Sequence, residues 1–314
     1  MVIAQFPGGV IVRVDGDELL CGIAGTFRPP ENASALAIGD FVTIALTRSE
    51  HLDGRREIDK DRSDGIILER RLRETVLARP LLQRGKRNSG YEAKTFERVI
   101  AANMDVLLIV ASSRQPPLRH GLIDRFLIIA ERGELQPILL INKIDLGMPD
   151  KKTLKDFKSL GIDVLSCSAL TGKGLRKVQR HLMGKRSILA GASGVGKSTL
   201  INAIVPEAEA PTREVRAKDN RGRHTTANAS IYELPRGGMI VDTPGVRELG
   251  IRLDETELPW YFPEFEAVAP QCKFRNCTHT HEPACAVIKA IEEGRIPQRR
   301  YESYLNILQT LKEE

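Results

Sequence analysis

The sequence predicts a multidomain chain: an N-terminal β-barrel, a central α/β domain and a C-terminal α-rich domain. Three observations carry this. The first 72 residues hold short apolar or alternating runs separated by turn signals. Residues 98–250 alternate strand and helix patterns around a glycine-rich loop, and residues 272–285 gather cysteine and histidine.

In the first segment, residues 9–14, 19–27 and 40–46 have strand character, with Asp15-Gly16-Asp17 as a turn between two of them. Further strands are expected near 56–59 and 65–72. Five short strands in about 70 residues suit a small closed barrel, and the oligonucleotide-binding (OB) fold leads among these. Residues 73–97 carry Arg73, Arg79, Arg84, Lys86, Arg87 and Lys94, which reads as a basic linker.

From residue 98 the alternation of strands and helices marks an α/β sheet. Candidate strands lie at 106–111, 137–142, 163–167, 187–190 and 239–242, and helical spacing at 124–132 and 175–182. Gly191, Ala192, Ser193, Gly194, Val195, Gly196, Lys197 and Ser198 fit G-x-x-x-x-G-K-[ST] between an apolar strand and the helical run that starts at Thr199. Such a loop turns its backbone N–H groups inward around phosphate oxygens, and the helix N-terminus adds a favourable dipole. Lys197 is placed to reach the β- and γ-phosphates and Ser198 to offer its hydroxyl to Mg²⁺. Asp242, Thr243, Pro244 and Gly245 follow another strand; Asp242 can hold Mg²⁺ through water, and Gly245 N–H can meet the γ-phosphate. The next residue is Val246, where Ras-like enzymes put the glutamine that orients water. Intrinsic hydrolysis should therefore be slow. The polar segment Arg221, Gly222, Arg223, His224, Thr225 and Thr226 falls where a first switch belongs, so one threonine can close the Mg²⁺ shell and His224 can position water.

Asn142, Lys143, Ile144 and Asp145 end a strand upstream of the phosphate loop. Asp145 can accept from N1–H and the exocyclic amine of guanine, donors that adenine does not present there, so the site selects GTP. Asn142 can bond the base edge and brace the phosphate loop, the Lys143 stem can cover the ring, and Ser168 and Ala169 can supply backbone N–H to the guanine oxygen. An ordinary GTPase has its phosphate loop first. Here the base-reading run comes first, so the domain is circularly permuted.

Cys272, Cys277, His279 and Cys285 give C-x4-C-x-H-x5-C, a closed set of four ligands for one structural Zn²⁺. His281 is a second choice for the histidine. Helical stretches follow near 286–293 and 301–311. Lys273 and Arg275 can meet phosphate or face water.

The chain is 41% hydrophobic and 28% charged, ordinary for a globular protein with a core. No apolar run reaches the roughly 18 residues of a membrane span, and residues 1–10 lack the pattern of a secretory signal. Five cysteines make no disulfide framework in a chain this long, which points to a reducing, cytoplasmic setting. A net charge of +6 leans towards polyanionic partners.

The permuted order, the 191–198 loop, Gly222-Arg223-His224-Thr225-Thr226 and Cys272-Lys273-Phe274-Arg275-Asn276-Cys277-Thr278-His279 resemble the RsgA (YjeQ) family of bacterial GTPases. The likeness extends to residues 101–105 and 123–125. It implies an OB barrel (1–72), a basic linker (73–97), a permuted GTPase domain (98–250) and a zinc domain (251–314). It further implies binding to the small ribosomal subunit and its rRNA during late maturation, with GTP hydrolysis stimulated by the subunit and driving release; nothing in the sequence suggests more than a monomer. By the same resemblance a hydrophobic residue such as Val246 replaces the glutamine, His224 takes over the water, and Thr226 is preferred over Thr225 for Mg²⁺. Ala227 departs from the family, which often has a third threonine there.

Overall fold

The computed structural model describes residues 1–6, 8–29, 35–47, 63–80, 97–207, 229–243, 246, 251 and 253–313. The expected strand near 56–59, the basic residues Arg84, Lys86, Arg87 and Lys94, the segment 221–227 with His224, Thr225 and Thr226, and Gly245 lie outside these residues.

The N-terminal strands are β1 (Val2–Phe6), β2 (Gly9–Val14), β3 (Asp17–Ile23), β4 (Val42–Leu46) and β5 (Gly65–Arg70). They form one sheet in the order β1-β2-β3-β5-β4, with β3 and β5 parallel and the other pairs antiparallel. Alternation explains the inward set: Val10 and Val12 of β2 point into a core with Val2, Cys21, Phe27, Leu36 and Ile67. The sheet curls back on itself where Val2 N–H donates to Asp40 O at 2.8 Å and Gly39 N–H to Val2 O at 2.9 Å. This is the barrel expected, with β1 as a strand that the sequence does not announce.

The stretch expected as a linker contains a strand. β6 (Val76–Pro80) pairs antiparallel with β7 (Glu97–Ala102), and Leu77 is buried in the main core. Arg73 Nε and Nη2 donate to the two oxygens of Asp40, both at 2.8 Å and shielded from solvent, while Asn103 Nδ2 donates to Gly39 O at 3.0 Å. These bonds fasten the barrel to one end of the β6–β7 ribbon, where the start of β6 lies beside the end of β7.

The central sheet comprises β8 (Val106–Ser112), β9 (Gln136–Asn142), β10 (Asp163–Ser166), β11 (Arg186–Ala190), β12 (Ser230–Glu233) and β13 (Met239–Asp242) in the order β10-β9-β8-β11-β13-β12. All pairings are parallel except β12 with β13. β8 is buried along its whole length because both sheet faces are covered. Val106, Leu108 and Val110 meet α3 (Leu175–Leu182) and α4 (Lys197–Ile204) on one face, whereas Leu107 and Ile109 share a cluster with α1 (His120–Arg132) on the other. α2 (Lys151–Lys158) lies beside β10 on the α1 side, through Phe157.

The last residues form α5 (Pro263–Glu266), α6 (Ala286–Glu292) and α7 (Gln298–Glu313). Phe262, Phe265, Tyr304 and Ile307 belong to the same apolar cluster as Ile123 and Phe126 of α1, so this segment packs directly on the central domain. Among the described residues no helix is long and apolar enough to cross a membrane.

Candidate nucleotide site and metal cluster

Three loops that carry sequence motifs leave the carboxyl ends of parallel strands on one side of the sheet, 191–196 after β11, 143–146 after β9 and 167–171 after β10, and Thr243 follows β13 at the same edge. In open α/β sheets ligands bind at this edge. The phosphate loop needs its glycines for space as well as for backbone freedom. Gly196 has φ +94°, and a Cβ there would sit 2.5 Å from Asn142 Nδ2; Gly191 has φ +142°, and its Cβ would lie 2.2 Å from Val110 O. The loop thus lies against β8 and the base-reading strand with no room to spare.

Ser193 and Gly194 are exposed at the loop tip, Ala192 is half-buried, and Val195 tucks inward. Ser198 and Thr199 stand half-buried in the first turn of α4. Gly196 precedes that helix without a side-chain cap, so its first N–H groups are available to an anion. Lys197, only 6% exposed, folds over the loop, its Nζ donating to Gly191 O at 2.7 Å and Ala192 O at 2.8 Å. The ammonium therefore already stands over the phosphate loop.

Asn142 joins the base side to the phosphate side. Asn142 Nδ2 donates to Val195 O at 3.0 Å, while its Oδ1 accepts from Ala169 N–H at 3.0 Å and from the Cys167 thiol at 3.5 Å. Burial pushes the Cys167 thiol up to about 12, so it remains a neutral donor. Of the two backbone donors expected to face a guanine oxygen, Ala169 N–H is bonded to Asn142 and Ser168 N–H donates to Lys173 O at 2.9 Å. Ser168 Oγ donates to Asp145 Oδ1 at 2.5 Å and holds the exposed carboxylate in place. Lys143, at φ +62°, reaches across to Gln115 O at 2.5 Å and Gly194 O at 2.7 Å. Its stem therefore spans from the base loop to the phosphate loop.

Residues that sequence reasoning passes over also converge here. Ser113 Oγ donates to Lys143 O at 2.6 Å. Ser112 and Thr243 are buried, and their hydroxyls find no hydrogen-bond partner among the described residues. Their position at the ends of β8 and β13 was the available signal. Asp242 is half-buried beside Thr243 at the end of β13. A carboxylate next to an unpaired buried hydroxyl fits a hydrated cation held with phosphate.

The metal cluster is formed as the spacing predicts. The ligand atoms of Cys272, Cys277, His279 and Cys285 lie within 4.8 Å of one another. His279 Nδ1 stands 3.7 Å from Cys272 Sγ and 3.4 Å from Cys285 Sγ, and those two sulfurs are 3.9 Å apart. Thiolates about 2.3 Å from a central zinc ion would be separated by about 3.8 Å, so the donors fit the ion. Burial lowers the His279 pKa and keeps a lone pair available, while burial pushes the Cys277 thiol up to about 12 unless a cation offsets it. His281 is exposed, with Nδ1 beside Thr280 Oγ1 at 2.8 Å, and takes no part in the cluster. The turn is tied by Glu282, which accepts from Thr278 and Thr280 N–H and from Thr278 Oγ1. Burial opposes ionisation of that carboxyl, but these bonds win and hold it well below the usual range.

A parallel sheet with phosphate and base loops at one edge, whose base-reading strand precedes the phosphate strand in the chain, defines a circularly permuted P-loop GTPase fold. The chain belongs to the RsgA GTPase family, which it matches over residues 73–252. It is similar to the small ribosomal subunit biogenesis GTPase RsgA of Chlorobaculum tepidum, at 37% identity over 97% of this chain and 98% of that protein. The protein of the same name from a Geobacillus species is 32% identical over 99% and 97%. Among solved structures, YjeQ from Thermotoga maritima superposes with a TM-score of 0.72 at 31% identity, covering 100% of this chain and 98% of the other. YloQ, described as a circularly permuted GTPase, gives 0.67 at 26% identity over 99% and 94%.

Proposed function

We propose that this chain hydrolyses GTP during late maturation of the small ribosomal subunit, binding the subunit and its rRNA and leaving after hydrolysis that the subunit stimulates. The observation that carries the reading is Asn142, bonded at once to the phosphate loop and to the base loop. The names of its relatives supply the ribosomal context.

In this reading Gly191, Ala192, Ser193, Gly194, Val195, Gly196, Lys197, Ser198 and Thr199 enclose the phosphates. Lys197 trades the loop's carbonyls for β- and γ-phosphate oxygens, and Gly245 N–H meets the γ-phosphate. Asp145 selects guanine, with Asn142, Lys143, Ser168 and Ala169 around it. Ser198, Asp242 and Thr226, or Thr225 in its place, would hold Mg²⁺, which neutralises charge on the phosphate oxygens when bound. His224 positions the attacking water in place of the glutamine that Val246 replaces. Cys272, Cys277, His279 and Cys285 hold one structural Zn²⁺. The units are a barrel (1–72), a connector (73–97), the GTPase domain (98–250) and a zinc domain (251–314), working as a cytoplasmic monomer with no membrane partner.

The test is GTP turnover by the protein alone and with equimolar small or large subunits. Stimulation by small subunits only, lost in Lys197→Ala and His224→Ala, is the expected result. Val246 is buried and apolar, which favours a second reading as a GTP-gated binding protein with negligible turnover. Absence of stimulation by either subunit would select it.

A further inference from the structure

From residue 164 to residue 206 the chain has no aspartate or glutamate, yet Lys173, Arg176, Lys177 and Arg180 fall close together there. α3 explains their placement. It buries Leu175, Val178 and Leu182 against the sheet and turns Arg176, Lys177 and Arg180 outward, with Lys173 exposed just ahead of it. Among the described residues none of these four cations has an ion-pair partner, whereas Arg13, Arg73, Arg186, Arg299 and Arg300 are all paired. Arg176 and Arg180 are one helical turn apart, about 6 Å along the axis, with Lys177 beside them and Lys173 just before the Gly174 cap. From Lys173 to Arg180 no apolar side chain is exposed.

We infer that the outer face of α3 is a docking surface for the phosphate backbone of structured RNA. A protein partner would be met by an interface with an apolar centre, whereas here the exposed apolar side chains, Leu170 and Met183, come before and after the row of cations; a phosphate backbone asks only for a row of accessible cations. The surface is tied to the nucleotide site by the backbone. Ser168 N–H donates to Lys173 O and Gly172 N–H to Ser168 O, both at 2.9 Å, so the guanine loop and the approach to α3 form one closed turn. RNA held on α3 therefore braces the loop that holds Asp145. The inference deepens the proposed ribosomal role and rests on it for the identity of the RNA.

The test compares wild type with Arg176→Gln/Lys177→Gln/Arg180→Gln and with a matched control on α2, Lys151→Gln/Lys152→Gln/Lys155→Gln. Binding of a plain RNA duplex and of small ribosomal subunits is measured across a salt series. The α3 variant is expected to bind both more weakly, with the slope of log affinity against log salt shallower by roughly 2 to 3. Its GDP affinity and unstimulated GTP turnover should stay at wild-type values. An unchanged slope overturns the inference, as does an equal loss in the α2 control, which would mean diffuse charge. Loss of binding to polyglutamate with RNA binding intact would also overturn it, in favour of an acidic protein. If α3 carries duplex binding but small subunits do not stimulate turnover, the proposed function fails and the docking surface stands.

Discussion

Arg300 Nη1 donates to Asp124 Oδ1 at 2.5 Å, joining α7 to α1 across 176 residues of sequence with both side chains shielded from water. The same guanidinium bonds Glu264 and lies 4.5 Å above the Phe262 ring, while Arg299 Nη1 reaches Asp124 Oδ2 at 3.2 Å. One carboxylate on the central domain thus anchors the segment that carries the cysteine–histidine cluster. α1 starts shortly after β8, whose end lies beside the phosphate loop, so the joint fastens this segment close to the nucleotide edge of the sheet.

Removing one partner from a buried charge network strands the others. Arg300→Ala should cost about 3–5 kcal/mol, since Asp124 and Glu264 would lose their shared donor. Chemical denaturation checks this, and a loss below about 1 kcal/mol would show that water reaches the joint and replaces the guanidinium.

Asn142→Ala removes a buried side chain that bonds both loops, leaving Val195 C=O and Ala169 N–H without this partner. A lost buried hydrogen bond of this kind is worth about 1–3 kcal/mol. Guanine nucleotide affinity should fall roughly 10- to 100-fold, measured by titration with a fluorescent GDP. Unaltered affinity would mean that Lys143, which also spans the two loops, is sufficient.

What is legible in the sequence depends on how local the physics is. The phosphate loop can be read because each of its positions has a backbone or charge requirement, and the central strands because β8, β9 and β11 are continuous apolar runs. The ligand set of the cluster is legible from spacing; the choice of His279 over His281 needs the turn that Glu282 ties. β1 is hidden because Val2–Phe6 shows no clean alternation. β6 is hidden in a stretch whose arginines suggest a solvated connector, although Leu77 is wholly buried there. α2 has only Leu154 and Phe157 as inward apolar residues among lysines. The pair Asp124 and Arg300 has no local signature at all, because its partner is chosen by tertiary packing.

The metal cluster should matter for the C-terminal segment more than for the nucleotide. His279 packs edge-on to Phe265 at 5.7 Å between ring centres, and Tyr304 donates to Thr278 O at 2.6 Å, so the ligand turn and the aromatic core hold each other. Elemental analysis should find one zinc per chain, absent in Cys285→Ser. Chelation should lower the melting temperature and change the fluorescence of Trp260, the sole tryptophan, which lies in this segment. GDP affinity should move less than about two-fold, an expectation set by the Asn142 contacts, which do not involve the cluster. A collapse of GDP binding on chelation would mean that the Asp124 joint transmits more than anchoring.

Val246 stands where a Ras-like enzyme carries its water-orienting glutamine, yet it is 1% exposed and shares an apolar cluster with Ile251, Leu253 and Leu258. Restoring glutamine is therefore not a matter of chemistry alone. Val246→Gln would place an amide among apolar side chains, at a cost of about 1–3 kcal/mol if unpaired. The expected outcome is a lower unfolding midpoint with no gain in unstimulated GTP turnover. If turnover rose several-fold at unchanged stability, the side chain would have to swing out of the core to the nucleotide, and the second switch would be able to leave the packing seen here. Failure to rise leaves the water to a residue outside that cluster, as the assignment to His224 requires.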